Sequence, residues 1–415
     1  MAVSLDPPLS SNKCCIYRIP NFLRKLSKEA YTPEVISIDP FYHGNKRLET
    51  MEKLKLKYFE KFLQRIDFKY VEDLVNDIKL HEERVHSCYA ETIKFSSDDF
   101  VKLILVDGIF IIELFCEMQG SDSDNILLNK ISEVAMMLDM QLLENQLPFF
   151  VLEKLFSHAG VPNCEHPSFL SLAVKVFENF LGHDFPGNLE RQQIRHFVDL
   201  TKAFFLSSSI EILLEHESND LAYADHLYTE SQLYKAGVKF MLYEAGVKFK
   251  VISSKCFLDL KFTNKTLEIP CMNLYNTTET TYRNIIAFEQ CHYRYHSDFT
   301  DYIVLLSFLI NTPKDADLLI RKGIIINWLP NSDAVASLFT NLFMNVVYDA
   351  RGSVYCELFK DLNAFYENTK HTRKATLKRD YFGTPWKTAS TVAAVILLLL
   401  TLIQTICSII QVVKM

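Results

Sequence analysis

The chain is poor in the residues from which phosphate cradles and cofactor loops are built. Eleven glycines in 415 residues are few. No GxGxxG, GxxxxGKS/T, GxSxG or HExxH occurs, so the dinucleotide fold, the P-loop, the nucleophile elbow and the helical zinc motif all lose their sequence basis. No CxxC occurs among the ten cysteines. Zinc sites show close ligand pairs, so no metal and no other cofactor is expected, and Cys164-Glu165-His166 and Cys291-His292 read as incidental neighbours. A basic excess is also missing. Lys+Arg 44 against Asp+Glu 51 gives a net charge of -7, which argues against nucleic acid, whose phosphates need a basic face. The opening MAVSLDPPLSSNKCC has no charged-then-apolar signal pattern.

One further absence carries the most information. No charge falls between Lys387 and Lys414, and residues 388–413 read TASTVAAVILLLLTLIQTICSIIQVV. Roughly 20 apolar residues in a helix cross a bilayer core of about 30 Å, so Thr388 to Val413 is read as a transmembrane helix in contact with lipid. A buried core helix can also be apolar all round, but such helices are shorter and seldom stand last. Lys370, His371, Arg373, Lys374, Lys378, Arg379 and Lys387 precede the span, and Lys414 alone follows it. The basic flank stays cytoplasmic, so the body is expected in the cytosol. Trp386, Tyr381 and Phe382 suit the headgroup layer. With no signal pattern and a terminal span, the arrangement expected is a tail anchor. Reduced thiols rather than disulfides follow from a cytosolic body. Ala389 with Ala393 and Ser390 with Ala394 have the small-residue spacing that lets spans pack, which raises a homo-oligomer.

Ahead of the span the organisation is mainly α with a β insertion. Residues 1–45 are irregular, because Pro7, Pro8, Pro20, Pro33 and Pro40 forbid a long helix. Residues 46–369 form a helical body, with a small antiparallel sheet inserted at about 247–272, and 370–387 is a basic juxtamembrane segment. Leu48, Met51, Tyr58, Phe62 and Ile66 make one helical stripe, and Val71, Leu74, Ile78, Val85 and Tyr89 a second. Ser97-Asp98-Asp99 starts a helix that is apolar nearly all round from Phe100 to Cys116, expected at the centre of the body. Pro148 suits the first turn of a new helix, with Asn145 or Gln146 near its cap. Tyr234 to Phe240 recurs nearly unchanged as Tyr243 to Phe249, a single local copy and no repeat architecture. After it the period becomes two, at Lys248 to Val251, Leu258 to Phe262 and Thr266 to Ile269, with a turn at Thr263-Asn264-Lys265. Helical patterns resume from Thr278.

The polar residues of interest are those set in apolar surroundings. Asp107 and Glu113 interrupt the central helix, and a charge there must be paired or face a pocket. With Glu144, Asn145, Gln146, Glu289 and Gln290 they form the best candidate constellation. Gathered in one place they could transfer protons, with Glu144, Glu113 or Asp107 as acid or base. Left apart they would form a buried network that fixes helix packing, which is the favoured reading. Two sequons, at Asn264 and Asn276, stay bare if the body is cytosolic and so report topology.

Several ordered segments line up with a known family. They are Ile36-Ser-Ile-Asp-Pro-Phe-Tyr-His43-Gly44, Leu142-Leu-Glu-Asn-Gln-Leu-Pro148, Glu244-Ala-Gly-Val-Lys-Phe-Lys250, Ile285-Ile-Ala-Phe-Glu-Gln290 and the lone span. From about residue 17 onward the chain resembles the plant domain-of-unknown-function family 247. The resemblance implies a plant membrane protein with no established catalytic activity. It also implies a recognition role, since some grass members are implicated as pollen-side determinants of self-incompatibility. The family usually has Gly where Asp39 stands and His where Tyr42 stands, so this chain keeps only His43 as a binding candidate there. Two functions therefore remain. One is a non-enzymatic recognition or signalling protein with an unidentified protein partner, and the other is a membrane-surface enzyme using buried carboxylates.

Overall fold

A computed structural model describes residues 13–66, 68–119, 130–159, 166–186, 193–206, 247–254, 256–293, 297–348, 353–367, 381 and 385–413. The basic cluster from Lys370 to Arg379, Phe382, the first copy of the duplicated segment and Cys164 lie outside the described residues. Helices dominate. In the N-terminal half these are α1 (Glu49–Leu63), α2 (Phe68–His86), α3 (Ser97–Gln119), α4 (Lys130–Asp139), α5 (Phe149–Ala159), α6 (Phe169–Leu181) and α7 (Phe197–Leu206). The stripes read from the sequence are the faces that pack: Tyr58 and Phe62 of α1 and Leu74, Ile78 and Val85 of α2 are buried. α3 is the central helix expected from its composition. It is buried from Phe100 through Phe115 except at Lys102, and it packs against α1, α2, α5 and α6.

The C-terminal half comprises β1 (Lys248–Ile252), β2 (Lys261–Thr263), β3 (Thr266–Pro270), β4 (Met272–Leu274), α8 (Thr278–His292), α9 (Asp298–Leu309), α10 (Pro313–Arg321), β5 (Ile325–Asn327), α11 (Ser332–Phe343) and α12 (Cys356–Glu367). The β insertion stands where the period-two pattern put it, but its pairing is mixed rather than wholly antiparallel. β2 and β3 form the expected hairpin, with Asn264 and Lys265 at φ 49° and 67°. Two successive left-handed residues give a turn whose twist matches that of the strands. β1 instead lies parallel to the other edge of β3, Lys248 opposite Thr266 and Ile252 opposite Pro270. Strand direction of this kind is something that alternation alone cannot reveal. A second pair, β4 parallel to β5, joins Met272 to Ile325. Three-residue strands are too short to leave a periodic signal.

Two hydrophobic cores result. One is built around α3 and holds the rings of Phe115, Phe149, Phe169, Phe177 and Phe197, with centroid spacings from 5.2 to 6.4 Å. The other is built around α8 and α9. Three segments belong to both. The N-terminal arm puts Ile16, Ile36 and Ile38 into the first core and Ile19, Leu23 and Tyr31 into the second. α7 gives Phe204 to the first and Phe205 to the second, and the connection from α4 to α5 gives Leu147 to the first and Leu143 to the second.

The last described element is α13 (Pro385–Val413), three residues longer at its start than the span read from the sequence. Among the described helices it is the one long and apolar enough to cross a membrane. Between Pro385 and Cys407 none of its described side chains is buried: Leu398 is 70 % and Trp386 87 % exposed.

Gly108 of α3 faces Leu155 and Leu152 of α5. A Cβ there would fall inside contact distance of Leu155 Cδ1 and at 3.7 Å from Leu152 Cδ2. Gly108→Val should therefore lower unfolding stability by about 1–3 kcal/mol, measured by denaturant titration in detergent. Truncating Leu155 to Ala in the same chain should cost less than it does in the wild type.

Candidate functional site

The arm at residues 13–45 crosses between the two cores with little regular structure. Its buried backbone N–H and C=O groups still need partners, and side chains from the α4–α5 connection supply them. The Asp139 carboxylate accepts from the backbone N–H groups of Glu34 (3.0 Å), Val35 (2.7 Å) and Ile36 (2.8 Å). Asn145 Oδ1 accepts from Ile38 N at 2.8 Å, while its Nδ2 donates to the carbonyls of Ile36 and Asp139, both at 2.9 Å. Gln146 Nε2 donates to Met140 O and Leu142 O, both at 2.7 Å, and its Oε1 accepts from Phe197 N at 2.8 Å. Gln146 thus caps the start of α7 rather than that of α5. On the far side, Leu143 N donates to Asn284 Oδ1 at 2.9 Å, and Asn284 Nδ2 donates to Ala30 O at 2.7 Å.

Glu144 stands at the outer end of this seam and lines a cavity of about 510 Å³. Arg18, Arg24, Lys28, Asn21, Thr32, Tyr42 and Glu91 are among its walls. Glu144 itself is 1 % exposed. Its Oε1 accepts from Ile19 N at 2.5 Å and pairs with Arg24; its Oε2 accepts from the Tyr42 hydroxyl at 2.6 Å and faces Arg18 Nη1 at 3.5 Å. Arg18 also reaches Glu91 at 3.3 Å and lies 4.1 Å over the Phe41 ring. Burial, and then the carboxylate it donates to, push the Tyr42 hydroxyl up. Of the two positions where this chain departs from its resemblance, Tyr42 lines the cavity, whereas Asp39 lies behind it and does not. Tyr42 covers Glu144, and Asp39, wholly buried, accepts from Phe41 N and Tyr42 N, each at 3.1 Å.

The remaining candidates do not line this cavity, and they lie apart from one another in the body. Asp107 pairs with Lys55 at 2.5 Å. Burial pushes its carboxyl up to about 6, partly opposed by Lys55, whose own ammonium is held charged by Asp107 and Glu52. Glu113 takes a two-pronged pair with Arg65, one prong at 2.8 Å. Glu289 pairs with Lys202 at 2.8 Å and accepts from Phe299 N, Thr300 N and Thr300 Oγ1. Gln290 accepts from Val347 N at 3.0 Å. His43 is exposed, 3.9 Å from Glu52 and edge-on to Phe95. Each acid has its own cation, on a different element. Sequence reasoning missed those cations, yet one signal existed: Lys55 falls on the buried face of α1, between Met51 and Tyr58. A lysine on an apolar stripe announces a buried acid.

The profile of a family described as plant protein of unknown function matches residues 16–400. The chain belongs to the plant domain-of-unknown-function family 247. Two Arabidopsis thaliana relatives are similar along most of their length. The UPF0481 protein At3g47200 is 27 % identical over 422 residues, covering 94 % of this chain and 85 % of its own. The putative UPF0481 protein At3g02645 is 22 % identical over 479 residues, covering 94 % and 89 %. No solved structure matches the chain.

The seam makes the family motif Leu142 to Pro148 structural in this chain. Asn145→Ala removes the partners of Ile38 N, Ile36 O and Asp139 O and should cost about 3 kcal/mol or more. Gln290→Ala, on the half-buried rim, should cost about 1 kcal/mol or less. Chemical unfolding of the two variants side by side checks the ranking.

His196 gives a pH-dependent test of the same region. It is fully buried, its Nδ1 accepts from Asp199 N at 3.2 Å, and its Nε2 faces Cys15 O at 2.9 Å, which fixes the neutral tautomer with its proton on Nε2. Burial lowers its pKa to about 4, from 6.5. A depressed folded-state value means stability present above 6.5 and lost as pH falls through 4, on the order of 3 kcal/mol in all. Asp107 and Asp139, raised to about 6, act in the opposite sense, their contribution being lost as pH rises through 6. His196→Gln removes the first effect alone. The variant should gain stability relative to wild type between pH 7 and pH 4, and a constant difference across that range would show that His196 does not titrate there.

Proposed function

We propose that the protein is a single-pass, tail-anchored membrane protein whose cytosolic body serves recognition or signalling rather than catalysis. The observation that carries the anchor is α13, a 29-residue helix with its apolar side chains turned outward. Exposed leucines in such number are costly in water and favourable in lipid. Recognition is favoured over chemistry by the state of the buried acids. Asp107, Glu113 and Glu289 are each occupied by a cation away from the cavity. Glu144, which does line it, has hydrogen-bond partners on both oxygens. The cavity wall, with Arg18, Lys28 and Glu91 outermost, suits a polar protein segment more than a small apolar substrate. The second reading, an enzyme acting at the membrane surface, rests on Glu144 alone, through its place beside the Tyr42 hydroxyl at the cavity floor.

Membranes from cells expressing the full chain test both halves of the proposal. The protein should resist alkaline carbonate, and Asn264 and Asn276, both exposed, should carry no glycan. Release by carbonate, or sugar on either asparagine, contradicts the anchor or the orientation. Crosslinking in the same membranes should recover a protein partner, and Lys28→Glu should weaken that recovery several-fold without unfolding the body. A partner set indifferent to charge reversal at Lys28, Arg18 and Glu91 contradicts a recognition role for this cavity.

A further inference from the structure

Three cysteines crowd the point where the arm enters the body. Cys15 N and Ile16 N both donate to Cys88 O at 2.9 Å, and Ala90 N donates to Ile16 O at 2.9 Å. These bonds make a parallel bridge of Ile16 with Tyr89, which sets Cys15 opposite Cys88 in register. Registered residues of neighbouring extended segments lie about 5 Å apart at Cα, within the roughly 4.4–6.8 Å that a disulfide spans. No disulfide joins any two of the described cysteines, so the two thiols stand reduced beside each other. Cys14 is the next residue in an extended segment, where successive side chains turn to opposite faces.

We propose that Cys15 and Cys88 are a redox modification site, a dithiol that a small hydroperoxide closes to a disulfide. The two thiols are not equivalent. Contact with Cys15, helped by Arg84 and Lys13 and opposed by burial, lowers the pKa of Cys88, whose thiol donates to Arg84 O at 3.4 Å, whereas contact with Cys88 and burial raise that of Cys15. Cys88 is therefore the nucleophile. Its thiolate attacks one peroxide oxygen, the O–O bond breaks, and hydroxide leaves, giving a sulfenic acid on Cys88. The sulfur of Cys15 then attacks the sulfur of Cys88 and gives up its proton, and the sulfenic hydroxyl leaves as water. With hydrogen peroxide, the Cys88 proton released on ionisation is taken up by the departing hydroxide, so two thiols and one peroxide become one disulfide and two waters, the thiols losing the two electrons that the peroxide gains. With Cys15 4 % and Cys88 6 % exposed, a hydroperoxide reaches them more readily than a bulky disulfide does.

The product would bolt the arm to the turn that follows α2. Residues 17–24 of that arm deliver Arg18, Arg24 and the Ile19 N–H to Glu144. The bond would thus fix the wall of the cavity as well as the entry of the chain. This holds whether or not the cavity binds a partner.

The test uses the full chain in detergent, reduced, then treated with hydrogen peroxide, alkylated and mapped by mass spectrometry without reduction. The expected product is a peptide pair linking the Cys14-Cys15 segment to Cys88, reversed by reductant and accompanied by faster migration on a non-reducing gel. Cys14→Ser should retain the link, and Cys15→Ser and Cys88→Ser should each abolish it. A link through Cys14, a link between two chains, over-oxidation of Cys88 with Cys15 still alkylatable, or no reaction at either residue overturns the proposal. The wild-type map alone decides between these outcomes, so a variant that fails to fold leaves the test intact.

Discussion

The fold depends on satisfying the backbone of an arm that belongs to no sheet. Residues 13–45 pass between two apolar cores, where an unpaired N–H or C=O costs about 1–3 kcal/mol. Asp139, Glu144 and Asn145, with Asn284 opposite, bond to that backbone, and Gln146 ties the same connection to the start of α7. Each of these side chains reaches a segment distant in sequence, and together they hold the two cores as one body. A run of polar residues inside an apolar chain is here the glue of the fold.

The buried charges obey the same rule of pairing. Lys55 with Asp107 and Lys202 with Glu289 each join two helices, and Arg65 with Glu113 ties the turn after α1 to α3. Such pairs add little net stability over apolar residues of like size, but removing one partner strands the other in a medium that cannot solvate it. They fix which helix meets which, and at what register. These pairs lie apart from the cavity beside Glu144.

Much of the architecture was legible in the chain. The stripe at Met51, Tyr58 and Phe62, the all-round apolarity of Phe100 to Cys116, the turn at Asn264-Lys265 and the charge-free run after Lys387 each express local physics, and each element stands where its pattern put it. Parallel pairing of β1 with β3 was not legible, because alternation fixes which face is buried and says nothing of strand direction. The polar motif from Leu142 was legible as buried, yet its partners were not. Gln146 caps a helix that starts at Phe197, and Asn145 bonds to Ile36 and Ile38. Contacts across such sequence distances leave no spacing to read. The partners of Asp107, Glu113, Glu144 and Glu289 were not legible for the same reason, since their cations lie on segments whose packing no periodicity could supply.

The role of the seam is open to direct measurement by amide hydrogen exchange on the full chain in detergent or lipid. If the α4–α5 connection welds the cores together, the amides of Ile19, Val35, Ile36, Ile38 and Leu143 are protected nearly as strongly as those in the middle of α3, although they lie in irregular chain. Exchange at those amides as fast as in an exposed surface loop, with α3 still protected, would contradict the account.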